Sequence, residues 1–376
     1  MQVNINQRSL ANLLNAAKAI ADTSAKPGMP ILGDVVLRGL VSGGLQAQAT
    51  DMSVSITETT EADVIRPGAV AAPVKRLAEI VSVLPPSAEV TLSALDNHWV
   101  QIKAGKSDFK LMGHMDSDFP SLPAPNEKSV TYDVDTKAWL DLFDRVGYAM
   151  SSDEARVNLN GALVEADGQQ IKVVATDGHR LTYCARPLDG LSLPSGIVLP
   201  KAGIDAMVGL LKRAGESVTL VIDPPANGNQ RFFFVQIDGR QVVFSMRITN
   251  VQFPPYKQVI PSNLSREVLV SKAEFESALR SVIVMAPEKT AQVALTFKED
   301  RIEMHADNPD LGVTHQEVAA ECLRGEPCTA GFNARYLLEA VSKMPGETVK
   351  IQGHHELDPL LIGESDQAAV VMPMRL

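Results

Sequence analysis

The sequence predicts an α+β fold made three times over, with three tandem domains that each back an antiparallel sheet with two helices. Three observations predict it. An apolar strand ending in an acidic turn recurs at Ala49-Thr50-Asp51, Ala175-Thr176-Asp177 and Ala306-Asp307-Asn308, and successive aspartates stand 126 and 130 positions apart. That period is about a third of the chain, and a fixed long period signals repeated structural units. A pair of helical patterns brackets each acidic turn, and each unit closes on an X-Pro step, at Phe119-Pro120, Phe253-Pro254 and Met372-Pro373. The expected domains are 1–125, 129–255 and 261–376.

Each unit opens with a short strand and an amphipathic helix: Val3 to Ile5 then Arg8 to Ala21, Val134 then Thr136 to Met150, and Val268 to Val270 then Lys272 to Met285. Leu10, Leu13, Leu14 and Ala17, like Phe275, Leu279, Val282 and Ile283, recur at the spacing of one helix face. Second helices begin at Pro73-Val74, at Pro200-Lys201 and run to Arg213, and at Asn333-Ala334 and run to Lys343, with Pro or Asn as the start signal. Between the helices lie alternating runs such as Gly33 to Arg38, Val90 to Leu92, Trp99 to Lys103 and Arg231 to Gln236. The turns Asp96-Asn97-His98 and Ile237-Asp238-Gly239-Arg240 join them as antiparallel hairpins rather than parallel crossovers.

A chain of 376 residues that is 45% apolar can build several cores. No apolar run nears the roughly 18 residues of a membrane span, and no basic-then-apolar leader opens the chain, so a soluble cytoplasmic protein is expected. Cys184, Cys322 and Cys328 form neither a CxxC pair nor an even set, which predicts reduced thiols and no structural metal.

The formal charge of −10 argues against nucleic acid, but its distribution argues the other way. Taken in chain order, the predicted helices carry +2, +1, 0, +2, 0 and +1, which sums to +6 and leaves −16 for strands and loops. Lysine and arginine are also good helix formers, so propensity alone is a competing explanation. Three tandem units leave unpaired sheet edges at both ends of the chain, and a head-to-tail dimer removes both. Two chains then close a ring with sheets outside and weakly basic helices lining the hole. Such a hole suits a polyanionic rod held through its phosphates and not read through its bases.

Several segments resemble one family, the bacterial DNA polymerase III beta subunit, or sliding clamp: Pro30-Ile31-Leu32-Gly33, Leu159-Asn160-Gly161, Ala175 to Leu181, Phe253-Pro254-Pro255-Tyr256 with Pro261, Gly331-Phe332-Asn333, and Val371 to Leu376. They span the chain in order, and the Thr-Asp-Gly-His-Arg-Leu run and the Met-Pro-Met-Arg-Leu end are each specific. The resemblance implies three DNA-clamp domains in a head-to-tail ring dimer around double-stranded DNA, without sequence readout, catalysis, cofactor or metal. It also implies loading by a clamp loader, and tethering of the DNA polymerase III catalytic subunit and other proteins bearing a clamp-binding motif.

Carried over position by position, the family's peptide pocket between the second and third domains comprises Leu159, Thr176, Gly178, His179, Arg180, Leu181, Pro254, Val259, Val370, Met372, Pro373, Met374, Arg375 and Leu376. Polarizable Met372 and Met374 suit varied apolar peptides, and His179 and Arg180 are placed to hold a peptide's polar part. For DNA the resemblance points to Lys26, Lys75, Arg76, Asn333 and Tyr336, and in the Asp153 to Asn158 loop only to Arg156, because that loop carries two acids and no aromatic residue. At the dimer seam Phe109 and Leu111 are expected to meet Val284 and Met285 of the partner subunit. Lys106 is placed for an ion pair there, while Asp108 stands where a second basic residue is expected.

Other readings stay open at this level. Asp177-Gly178 is also an ordinary tight-turn pair with a solvated His-Arg after it. An enzyme using the Asp177 to Arg180 loop for acid/base work is a second hypothesis, although no Ser, Cys or second His stands at motif spacing beside His179. A clamp paralogue that keeps the fold but serves repair or resists a clamp-directed inhibitor is a third. No Walker loop, GxSxG or HExxH occurs in the chain.

Overall fold

The computed structural model describes residues 1–21, 29–223, 232–237 and 241–376. Lys26, Arg231 and the turn residues Asp238 to Arg240 lie outside the described residues. Two compact units emerge, one from Met1–Leu140 with Ala202–Ile248, the other from Asp141–Lys201 with Thr249–Leu376. The division therefore cuts through the second repeat.

Among the described residues six α-helices carry the repeat: α1 Gln7–Ile20, α2 Val74–Ser82, α3 Thr136–Val146, α4 Lys201–Leu211, α5 Lys272–Met285 and α6 Ala334–Lys343. In α1 the Asn6 carboxamide oxygen accepts from the Arg8 N–H, and Leu10, Leu13, Leu14 and Ala17 are buried. Burying each leucine contributes about 1.5–3 kcal/mol. Ser271 caps α5, whose Phe275, Leu279 and Val282 enter the core while Val284 stays exposed. Two helices end earlier than their apolar pattern suggests. A short 3-10 turn, Gly147–Ala149, follows α3, and Lys212 and Arg213 sit in a turn after α4. With these boundaries the helix charges become +2, +1, 0, 0, 0 and +1, a sum of +4 and not +6.

Every strand ladder among the described residues is antiparallel, as the hairpin reading expects. The first unit holds a five-stranded sheet that ends on the strand Ser107–Leu111, and an eight-stranded sheet. In the eight-stranded sheet Val242–Arg247 of the second repeat pairs with Val54–Thr60 of the first, from Val242↔Glu58 to Met246↔Val54. The second unit holds a twelve-stranded sheet in which Arg180–Pro187 pairs with the C-terminal strand Gln367–Val371. Ladders thus cross both repeat boundaries, which is why contacts divide the second repeat.

The acidic turns differ in one respect from the sequence reading. Asp51 accepts the N–H groups of Ser53 and Val54, and Asp177 accepts those of His179 and Arg180. In the third repeat Asp307 lies within the strand Arg301–Asn308, and Asn308 accepts from Asp310 instead. The turn is shifted by one residue because Asn, like Asp, closes an Asx turn.

Candidate functional site

Thr176 ends one strand and Arg180 begins the next, so the residues between them form a two-stranded turn with little freedom. The Thr176 hydroxyl donates to the Arg180 carbonyl at 2.6 Å and accepts from the Gly178 N–H at 3.1 Å. Gly178 has φ +91°, a left-handed conformation that glycine adopts without a steric cost. This geometry turns the Gly178 and His179 side of the loop to solvent.

Arg180 points the other way. Its side chain is only 10% exposed, and every face of the guanidinium is occupied. Nε donates to Asp177 at 3.1 Å, Nη2 to the Tyr148 carbonyl at 2.6 Å, and Nη1 to Glu339. The Tyr336 ring lies 4.4 Å and the Tyr148 ring 5.1 Å from the guanidinium carbon. Burial pushes the Tyr148 phenol up to about 12, so it remains neutral across the physiological range. Three Arg180 N–H donors are thus engaged inside the chain, and the side chain fixes the loop to α6. Among the described residues the His179 side chain has no hydrogen-bond partner, and its ring stacks near Tyr336 at 6.5 Å.

The C-terminal segment runs beside this loop. Val371 pairs with Arg180 and Val370 with Leu181, and the Met372 N–H donates to the His179 carbonyl at 3.0 Å. The chain then reaches the strand Cys328–Asn333, where the Met374 N–H donates to the Gly331 carbonyl at 2.7 Å. A Cβ at residue 331 would stand 2.6 Å from the Met374 carbonyl oxygen, so only glycine lets the tail lie this close. The Gln292 amide holds the Arg375 carbonyl at 2.9 Å. Met372, Arg375 and Leu376 remain exposed while Pro373 and Met374 are half-buried.

Beneath lies an apolar cluster that includes Leu163, Leu181, Tyr183, Phe253, Tyr256 and Val370. Tyr256 donates to Glu165 at 2.6 Å, and burial together with that carboxylate raises the Tyr256 phenol well above its ordinary value. Thr176, Leu181 and Val370 of the predicted set are buried and form the floor. Val259 is exposed, and Leu159 and Pro254 are half-buried. Arg156 ties the Leu159 loop to the turn by donating to the Asp177 carbonyl at 3.2 Å. The structure adds Tyr148, Glu339 and Gln292 to the site. No short motif contains them, because they act through a partner distant in sequence.

The residues expected at DNA receive mixed positions. Lys75 is exposed, and Arg76 is exposed but paired with Glu79 at 2.7 Å. Asn333 and Tyr336 are half-buried: the Asn333 oxygen caps α6 by accepting from the Arg335 and Tyr336 N–H groups, and the Tyr336 ring covers Arg180. At the expected seam Lys106 and Val284 are exposed, and Phe109, Leu111 and Met285 are half-buried. Asp108 is engaged within its own hairpin, accepting from the Gln101 amide at 2.8 Å and pairing with Lys103 at 3.7 Å.

Family models for the DNA polymerase III beta subunit match along the chain in order: the N-terminal domain over residues 1–123, the central domain over 133–255 and the C-terminal domain over 257–375. The chain belongs to the DNA polymerase III beta subunit family. It is 29% identical to the beta sliding clamp of Caulobacter vibrioides over 385 residues, covering 100% of both chains. It is 27% identical to that of Escherichia coli K12, covering 93% of this chain and 94% of the relative. A crystal structure of the Caulobacter crescentus clamp superposes with a TM-score of 0.92 at 28% identity, covering 100% of this chain and 99% of that one. The Bartonella birtlesii sliding clamp bound to griselimycin gives 0.91 at 26% identity, with 100% coverage of each chain.

The three repeats are three clamp domains, and the protein is the replication processivity subunit, which is non-catalytic. The acid/base reading of the Asp177 loop gives way accordingly. Asp177 spends its oxygens on backbone N–H groups and Arg180, and does not orient His179.

Proposed function

We propose that the chain closes with a second copy, head to tail, into a ring around duplex DNA, and holds its partners through short peptides docked beside the C-terminus. The carrying observation is the tail itself. Met372 and Met374 are pinned by backbone bonds to His179 and Gly331, while Met372, Leu376 and Val259 are exposed. An apolar, adaptable surface with a fixed frame is what binding of several related peptides requires. His179, exposed at its rim, supplies the polar contact, and Arg180 acts by positioning.

Domain limits of 1–125, 129–255 and 261–376 go with this reading, as do cytoplasmic location, a clamp loader that opens the ring, and the DNA polymerase III catalytic subunit as principal partner. For DNA, Lys75 and Arg76, with Arg156 and Lys26, are the proposed contacts. Weak, sequence-independent phosphate contacts favour sliding. Among the described residues no helix is long and apolar enough to cross a membrane.

The test is polymerase extension on primed circular DNA with the matching loader. Stimulation by the full chain, lost when Met374 to Leu376 are removed, supports ring and pocket together. Stimulation that survives the deletion refutes the pocket.

A further inference from the structure

Two free sheet edges each end in an exposed apolar pair. The first is the hairpin Val100–Ala104 with Ser107–Leu111, whose register sets Val100 opposite Leu111 and Ile102 opposite Phe109. Trp99 and Met112 come one step beyond the last pair of that ladder, Val100 with Leu111. Trp99 is 36% exposed and Met112 62%. Their backbones are fixed: His98 has φ +64°, and a Cβ on Gly113 would come within 2.5 Å of the His98 and Ala71 carbonyl oxygens. Asp108, Lys110 and Met112 share the face turned away from buried Val100 and Ile102.

The second edge is the first part of Gly312–Arg324. Its residues Gly312 to Ala319 pair on one side with Arg301–Asn308, and only the later residues pair with Arg266–Ser271. Leu311 and Val313 open this strand and are 63% and 65% exposed. Val313, His315 and Glu317 share the face turned away from buried Val318.

We propose that Trp99 and Met112 of one subunit clasp Leu311 and Val313 of the other on the outer face of the ring seam. The inference rests on the head-to-tail dimer proposed above and names contacts beyond it. Edges joined antiparallel place the end of one strand beside the start of the other, so Leu111 and Met112 come to Gly312 and Val313 even if the register slips by a residue. The inner contacts agree. Leu111 is expected to meet Met285 of the partner subunit, and the Met285 methyl lies 3.8 Å from where a Cβ on Gly312 would be. Charge agrees as well, with Lys106 and Lys110 on the first edge and Asp307 and Asp310 around the second, while Glu317 is paired within its own hairpin with Arg301 at 3.7 Å and His315 at 3.2 Å. Asp108 is already engaged by the Gln101 amide and Lys103, so apolar contact takes the place of an ion pair there.

Trp99 and Trp139 are the two tryptophans of the chain, and Trp139 is buried. Iodide quenching of the unmodified protein during dilution therefore reports on Trp99. Protection in the dimer that is lost in the monomer is expected, and equal quenching in both overturns the clasp. By light scattering, Trp99→Ser with Met112→Ser, or Leu311→Ser with Val313→Ser, is expected to raise the dimer dissociation constant more than about tenfold. The fourfold variant is expected to lose little more than either pair, because both remove one contact. Unchanged dissociation constants, or losses that multiply, overturn the proposal. A wild-type chain that stays monomeric at micromolar concentration overturns the dimer reading itself, a result distinct from a dimer indifferent to these substitutions.

Discussion

Arg180 shows how one side chain converts a turn into a site. It joins Asp177, Glu339 and the Tyr148 carbonyl between two aromatic rings. Arg180→Ala leaves Asp177 without its partner and removes the packing on Tyr336. It is expected to destabilise the second unit by about 2–4 kcal/mol in urea unfolding and to weaken peptide binding. Arg180→Lys recovers little, since an ammonium cannot make the planar fork. At Cys184, burial raises the thiol above its ordinary value, whereas Cys322 and Cys328 are partly exposed. A thiol reagent is expected to label the latter two in the native protein and Cys184 only after unfolding; early labelling of Cys184 contradicts this packing. His179 and the Met-Pro-Met-Arg-Leu end were legible as local motifs. Tyr148 and Glu339 were not, because their roles arise only when Arg180 folds onto them.

At the scale of elements, a polar network joins α3 and α6 to the paired strands. Arg145 donates to Asp141 at 2.6 Å, to the Lys343 carbonyl at 2.9 Å and to Gln367 at 2.8 Å, while Arg186 reaches Asp141 at 3.0 Å. Burial works against the Asp141 carboxylate, but Arg145 and then Arg186 outweigh it and hold its pKa below the ordinary value. Its stabilising contribution is therefore complete above the unfolded carboxylate value of about 4 and is lost as pH falls through the lower folded value. Asp141→Asn is expected to lower stability at pH 6 and to flatten the acid limb of urea midpoints measured between pH 5 and 3. An acid limb identical to wild type would count against the network. Elements with strong periodicity and a cap, such as α5, were readable to the residue. The ends of α3 and α4 were not, since apolar periodicity continues where Gly147 and the Lys212-Arg213 turn leave the helix. This also trims the positive charge the helices carry.

Across the whole molecule, the repeat period announced three domains, and the ladders linking Val54–Thr60 to Val242–Arg247 and Arg180–Pro187 to Gln367–Val371 join them. Among the described residues Ser107–Leu111 ends its sheet, and Gly312 to Ala319 are paired on one side by Arg301–Asn308. Exposure at those edges, unlike their existence, could not be read from sequence, because it depends on which face each alternating residue presents. Combined neutral substitution of Lys75 and Arg76 is expected to lower the salt dependence of DNA binding, and an unchanged slope removes them from the contact surface.

Encirclement is the central claim, and topology tests it without reference to affinity. Protein loaded on closed circular DNA by the matching loader is to be followed by gel filtration at high salt, before and after a single restriction cut. Retention on the circle and rapid loss once the DNA is linear are expected of a ring. Equal retention on both, or loss from both at the same salt, would contradict a ring and indicate ordinary surface binding.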